Sequence, residues 1–240
     1  MIDRWPSILW PNSILFHPEA QSRSGGLSIT GYEQTVKSDA GRWRAKMTFD
    51  IGHGFGGKRT QDTVLAWRAL LARCEGRVGR ILIGPCDQAN TPPAIRGDAA
   101  VPPETFDDGA SFDDDTLIIP AATPAHIAGT YQSGATTIIV NMLGGHVPEP
   151  GQYFGAGNRL FLIKRAELYG GSLMAPFVPA YWQLKVWPPV REPIEDGSPA
   201  DFDDPVCAMC FRSDDVGELM MQGMYYGTPS LDLVEAPPEP

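Results

Sequence analysis

Residues 42–51 read Arg-Trp-Arg-Ala-Lys-Met-Thr-Phe-Asp-Ile. Trp43, Ala45, Met47, Phe49 and Ile51 fall on one side of a two-residue period, and Arg42, Arg44, Lys46, Thr48 and Asp50 on the other. Ten residues of strict alternation point to a β-strand with one dry face and one wet face. A helix would spread these apolar side chains around its axis, and a strand covered on both faces would be apolar throughout. The preceding stretch, Gly31-Tyr32-Glu33-Gln34-Thr35-Val36, is also strand-like, and Lys37-Ser38-Asp39-Ala40-Gly41 between the two runs reads as a turn. Residues 27–51 therefore predict a β-hairpin.

Strand signals dominate the rest of the chain. In Thr60–Gly76, Val64, Trp67, Leu70 and Leu71 recur at helical spacing, with Thr60 or Asp62 available as a cap and Gly76 as a stop. This predicts one helix, over 62–74. A short strand follows within Arg77–Asp87. Residues 87–128 are rich in Pro, Asp and Ala and read as a long surface excursion. Thr136–Leu143, Asn158–Leu168 and Ala180–Val190 are three further strand-like runs, which suggest a compact barrel or sandwich. Two more strands are expected after Val206. The 23 prolines and 26 glycines agree with many short elements joined by turns.

The segment Gly52-His53-Gly54-Phe55-Gly56-Gly57-Lys58-Arg59-Thr60 nearly fits two phosphate-binding signatures. Gly52, Gly54 and Gly57 satisfy G-x-G-x-x-G, and Gly52 to Lys58 begins a Walker A loop. Its surroundings argue otherwise. Both signatures follow a strand apolar on both faces, whereas this one follows the alternating run. Arg59 also stands where a metal-binding hydroxyl belongs, and no βαβ rhythm follows. The stretch is expected to be a strand-to-helix connector, with no cofactor.

Other chemistry-bearing residues are scattered. Cys207 and Cys210 form a C-x-x-C, but Cys74 and Cys86 lack knuckle spacing to complete a zinc site. In a strand, positions three apart point to opposite faces, so free thiols are expected. His17, His53, His126 and His146 lie at no ligand spacing, and no G-x-S-x-G elbow occurs. The acids Asp107-Asp108 and Asp113-Asp114-Asp115 lack the fixed order of a calcium loop and read as a solvated loop. No catalytic residue and no metal ligand is singled out. Trp182 and Trp187, with Tyr181 beside them, are the candidate glycan contacts, since sugar-binding sandwiches present aromatic faces.

Net charge is −10, and it is unevenly spread. Residues 1–80 carry 12 basic and 7 acidic side chains, residues 81–128 carry 1 and 8, and residues 201–240 carry 1 and 9. An acidic chain without a Lys/Arg cluster is poorly suited to gripping nucleic acid by its phosphates. No run of 18 apolar residues is present to cross a membrane as a helix. The opening Met-Ile-Asp-Arg-Trp-Pro lacks the basic and apolar regions of a secretory signal, so synthesis in a cytoplasm is expected.

Four stretches, in order, resemble the distal tail proteins found at the tail tip of long-tailed bacteriophages and gene transfer agents. Ile29–Ile51 looks like that family's opening hairpin, and Thr63–Asp87 is similar to its next helix and strand. Val147–Leu168 with Trp182–Pro199 resembles its inserted small β-domain, including a Pro-Pro-x-Arg exit at Pro188–Arg191. Pro205–Ala236 resembles the strands that close its first domain.

The resemblance implies a mainly β chain: a β-sandwich with one α-helix, formed by residues 1–128 and 200–240, and an inserted OB-like β-barrel at 129–199. It implies a structural role without catalysis. The chain would form a homohexameric ring in the virion tail tip, joining the tail tube protein to hub and baseplate proteins, while DNA passes through the lumen unbound. A net negative charge is compatible with a lumen that repels phosphate. The hairpin at 27–51 and the helix at 62–74 are the expected ring contacts. Three other readings stay open: a carbohydrate-binding module using Trp182 or Trp187, a hub or other minor tail protein, and a hydrolase with dispersed acids.

Overall fold

A computed structural model describes residues 2–52, 60–86, 90, 94–95, 125–142, 146–171, 179–221 and 227–238. The fold is mainly β with one α-helix, and it divides into two compact units. One unit joins Met1–Cys86 to Val206–Pro240, and the other is the intervening Asp87–Pro205. These limits fall at 86/87 and 205/206, where the sequence suggested 128/129 and 199/200. Pairing explains the difference. Strand Ala125–Ala128 pairs with Thr137–Met142, and Ala200–Asp201 with Tyr153–Ala156, so both ends belong to the inserted sheet.

In the first unit the strands are β1 (Asp3–Arg4), β2 (Ser13–Leu27), β3 (Glu33–Thr48), β4 (Ile81–Ile83), β13 (Cys207–Phe211) and β14 (Ser230–Glu235). They form one sheet in the order β1-β4-β13-β14-β3-β2. Only the β1–β4 pair among the described pairings is parallel. The alternation read from residues 43–51 holds: Trp43, Ala45, Met47, Phe49 and Ile51 are buried. Register aligns them with buried Leu231 and Leu233 of β14, and through β14 with Met209 and Phe211 of β13.

This face is covered by helix α1 (Thr60–Cys74). Thr63, Trp67, Leu70 and Cys74, spaced by three or four residues, are its buried positions. Phe49 meets Trp67 at 5.0 Å between ring centroids. The indole N–H of Trp67 donates to the Gly217 carbonyl at 3.0 Å. Gly217 has φ +86°, and a Cβ there would lie 2.7 Å from Leu71 Cδ2, so the chain passes the helix where only glycine fits.

The inserted unit contains β5 (Ala94–Ile95), β6 (Ala125–Ala128), β7 (Thr137–Met142), β8 (His146–Val147), β9 (Tyr153–Ala156), β10 (Arg159–Gly171), β11 (Ala180–Trp187) and β12 (Ala200–Asp201). Six of them make an antiparallel sheet ordered β12-β9-β10-β11-β7-β6. Its two edges approach closure. Ile127 of β6 donates to the Ser198 carbonyl at 2.8 Å and accepts from the Gly197 N–H at 2.9 Å, immediately before β12. Tyr131 and Ile194 exchange both backbone bonds at 2.9 Å. The result is nearly a barrel. Closure removes exposed edges, and it encloses a core around Phe154, which stacks on Phe161 at 5.4 Å and Phe202 at 5.3 Å.

Candidate interaction surface

The hairpin exists, but its turn is not Lys37–Gly41. β2 and β3 pair from Ser13↔Thr48 to Leu27↔Glu33, and residues 28–32 make the turn. There the Ser28 N–H donates to the Tyr32 carbonyl at 2.8 Å, and the Gly31 N–H to the Ser28 carbonyl at 2.8 Å. Ser38-Asp39-Ala40-Gly41 lies inside the ladder. The register passes from Glu19↔Arg42 to Gln21↔Ser38, so three residues of β3 oppose one of β2. This is a large bulge, with the Ala40 N–H bonded to Ser38 Oγ at 3.2 Å. The breaker residues mark a real backbone irregularity, but the chain kinks there and continues.

The bulge divides the hairpin into two different structures. On its near side β3 also pairs with β14, from Ser230↔Thr48 to Val234↔Arg44. The buried carboxylate of Glu235 then takes the Trp43 N–H at 3.2 Å, which ends the third strand's reach. On its far side β3 pairs, among the described residues, with β2 alone. Residues 21–37 are all exposed, on both faces of the ribbon. At roughly 3.3 Å per residue, this arm runs about 20 Å beyond the sheet. It carries Leu27, Ile29, Tyr32 and Val36, and Tyr32 keeps 77 % of its surface in solvent while Ile29 is fully exposed. A two-stranded ribbon buries too little to be stable by itself, and grouped exposed apolar side chains mark contact surfaces.

Below the bulge, the wet face of the sheet holds an ion network. Arg44 grips Asp232 in a two-point fork, Nε to Oδ1 at 3.0 Å and Nη2 to Oδ2 at 2.7 Å. Arg42 Nε donates to Glu19 Oε2 at 3.0 Å. Arg44 lies 3.6 Å from Glu19, and Arg212 lies 3.4 Å from Asp232. The hydrogen bond from Arg42, aided by the charges of Arg44 and Arg212, holds the Glu19 carboxyl below its ordinary range. Burial pushes Asp232 upward, but the bonds and charges of Arg44 and Arg212 outweigh it and leave its pKa lowered. The same fork holds Arg44 above its usual value.

The sequence-derived candidates are dispersed. Trp182 is a core residue of the inserted unit, 7 % exposed, and has no open ring face for a sugar. Alternation along β11 puts Trp187 on the opposite face, half-buried. Cys207 and Cys210 are buried free thiols on opposite faces of β13: Cys207 pairs with Ile83 on the helix side, and Cys210 packs near Val234 on the other. Burial raises the Cys210 thiol above its ordinary pKa. Among the described residues no three His, Cys, Asp or Glu side chains group as a metal site, and no helix is long and apolar enough to cross a membrane.

The strand leading into the glycine segment is antiparallel to both neighbours, unlike the parallel strand that precedes a phosphate loop. Residues 53–59 and the acids at 107–115 lie outside the described residues. Nothing in the sequence distinguished the arm from any other strand pair, although Leu27, Ile29, Tyr32 and Val36 break the polar character expected of exposed strands. Comparison with protein-family models gives no match, and comparison with curated proteins gives none either.

Proposed function

We propose that this chain is a structural ring component of a phage-type tail tip, an adaptor assembled from copies of itself between a tail tube and a host-contacting apparatus. The observation that carries the reading is the arm: paired strands with no third strand among the described residues, solvated on both faces, with Leu27, Ile29 and Tyr32 at or beside the turn and Val36 further along β3. Such a ribbon gains its cover from a neighbour, and a head-to-tail contact repeated by rotation closes a ring. The resemblance in the order of hairpin, helix, inserted β-unit and closing strands supplies the biological setting. The described exposed face of α1 contributes Leu65 as a further apolar contact.

Negative-stain images of the purified protein, with mass measured by light scattering, test this directly. Rings of six copies are expected. The double variant Leu27→Ser/Val36→Ser is expected to remain monomeric while melting at the wild-type temperature. A wild-type protein that stays monodisperse and monomeric at high micromolar concentration would overturn the reading.

A further inference from the structure

The charge of this chain is segregated by unit. Met1–Cys86 with Val206–Pro240 holds 13 basic and 13 acidic side chains, a net of 0. Asp87–Pro205 holds 6 basic and 16 acidic, a net of −10, so the whole excess sits on the inserted unit. Within the neutral unit the wet face of the sheet is locally cationic. Among the described residues Arg42, Arg44, Lys46 and Arg212 share it with the paired carboxylates Glu19 and Asp232, and the alternation adds Asp50 past the end of β3. Arg42 and Arg212 keep 38 % and 44 % of their side chains in solvent, and Lys46 is exposed.

The complementary feature lies on the other unit. Glu195, Asp196, Asp201, Asp203 and Asp204 are all exposed within ten residues that contain no base. Two of them are held in shape by the backbone: Asp196 accepts the Gly129 N–H at 2.6 Å, and Asp201 accepts the N–H groups of Asp203 and Asp204 at 3.0 Å each. Carboxylates held in this way lose little freedom on binding.

We infer that the cationic sheet face of one copy docks the acidic 195–204 run of a second copy, which sets the order of neighbours in the assembly. The inference rests on the ring reading above and deepens it. Carboxylates suit this face better than a nucleic-acid backbone, because Glu19 and Asp232 stand among the arginines. Separate carboxylates are free to sit over the cations and clear of Glu19 and Asp232, whereas a continuous phosphate chain would run across both. Both patches belong to one polypeptide and differ from each other, so the contact is head-to-tail.

The test uses full-length protein and two charge-reversed variants, Lys46→Glu/Arg212→Glu and Glu195→Lys/Asp204→Lys, with association followed by sedimentation velocity. Each variant alone is expected to associate at least tenfold more weakly than wild type. An equimolar mixture is expected to recover assembly, since each variant's altered patch meets its complement on the other. Raising salt from about 0.1 M, where screening acts over about 10 Å, to about 1 M, where it acts over about 3 Å, is expected to weaken wild-type association in parallel.

Circular dichroism separates these outcomes from misfolding, and the milder Lys46→Gln/Arg212→Gln variant is expected to fall between wild type and reversal. Association that ignores all four substitutions and salt would overturn the docking inference while leaving the ring intact. A cationic face that instead shifts a DNA oligonucleotide, with Lys46→Glu/Arg212→Glu abolishing the shift, would also overturn it. A wild-type protein that never associates would overturn the ring reading itself.

Discussion

The two halves of the hairpin are made of the same two strands and obey different physics. Near the sheet, β3 has a partner on each side, a helix over one face and an ion network on the other. Beyond the bulge, the same strands keep their ladder but have no third strand and no buried face among the described residues. Hydrogen bonds are therefore not what separates the halves, since both retain them. The difference is burial, and a ladder bond adds only about 1 kcal/mol net when water competes for it. The near half belongs to the folding unit of the chain, and the far half draws no burial from it among the described residues.

The sharpest way to break this contrast is to empty the core on the near side. Trp43 is completely buried and packs on Phe16 at 5.3 Å. Trp43→Ala is expected to cost about 3–5 kcal/mol, the usual range for such a truncation, read as a lowered denaturation midpoint. Removing only a polar anchor has a smaller effect. Trp67→Phe leaves the buried Gly217 carbonyl without its donor, at a cost of about 1–3 kcal/mol.

Acid should loosen the near half next. Glu19 and Asp232 both have folded pKa values below their ordinary ones. Depressed carboxylates contribute stability that is fully present above their unfolded pKa of about 4 and is lost as pH falls through the folded value. Unfolding midpoints measured from pH 7 downward are therefore expected to hold steady until about pH 5 and then decline. Asp232→Asn should flatten that decline.

The smallest effect on stability is expected in the arm. Leu27→Ser/Val36→Ser should change the unfolding free energy of the monomer by no more than about 0.5 kcal/mol, as for other exposed sites. In hydrogen exchange, amides of residues 21–37 should exchange far faster than those of 43–48 in the monomer. On assembly the arm amides should slow and the near-side amides should not. An arm as protected as the core in the monomer would erase the contrast altogether.

Much of this architecture was legible beforehand, for identifiable reasons. The alternation through Trp43–Ile51 reported a one-sided strand because a two-residue period admits no other regular structure. The spacing of Trp67 and Leu70 reported the helix in the same way, and the opposite facing of Cys207 and Cys210 followed from strand geometry alone. Ser38-Asp39-Ala40-Gly41 misled because breaker residues announce that the backbone departs from regularity without saying in which manner. A turn and a bulge use the same chemistry, and only the partner strand decides between them.

What residue order carries on its own, then, is every property set by neighbours along the chain: strand or helix, which face is dry, and where the backbone is broken. Which strand lies beside which is set by contacts between residues far apart in the chain, whose cost in chain entropy is met only by the collective burial of a whole core. That is why Trp182, aromatic and strand-borne like Trp187, turned out to lie inside the inserted unit, and why the limits of that unit fell at 87 and 205. It is also why the arm, and the assignment of the uneven charge to one unit, became visible only after folding. Exposure and charge balance belong to surfaces, and a surface is defined by what the rest of the chain leaves uncovered.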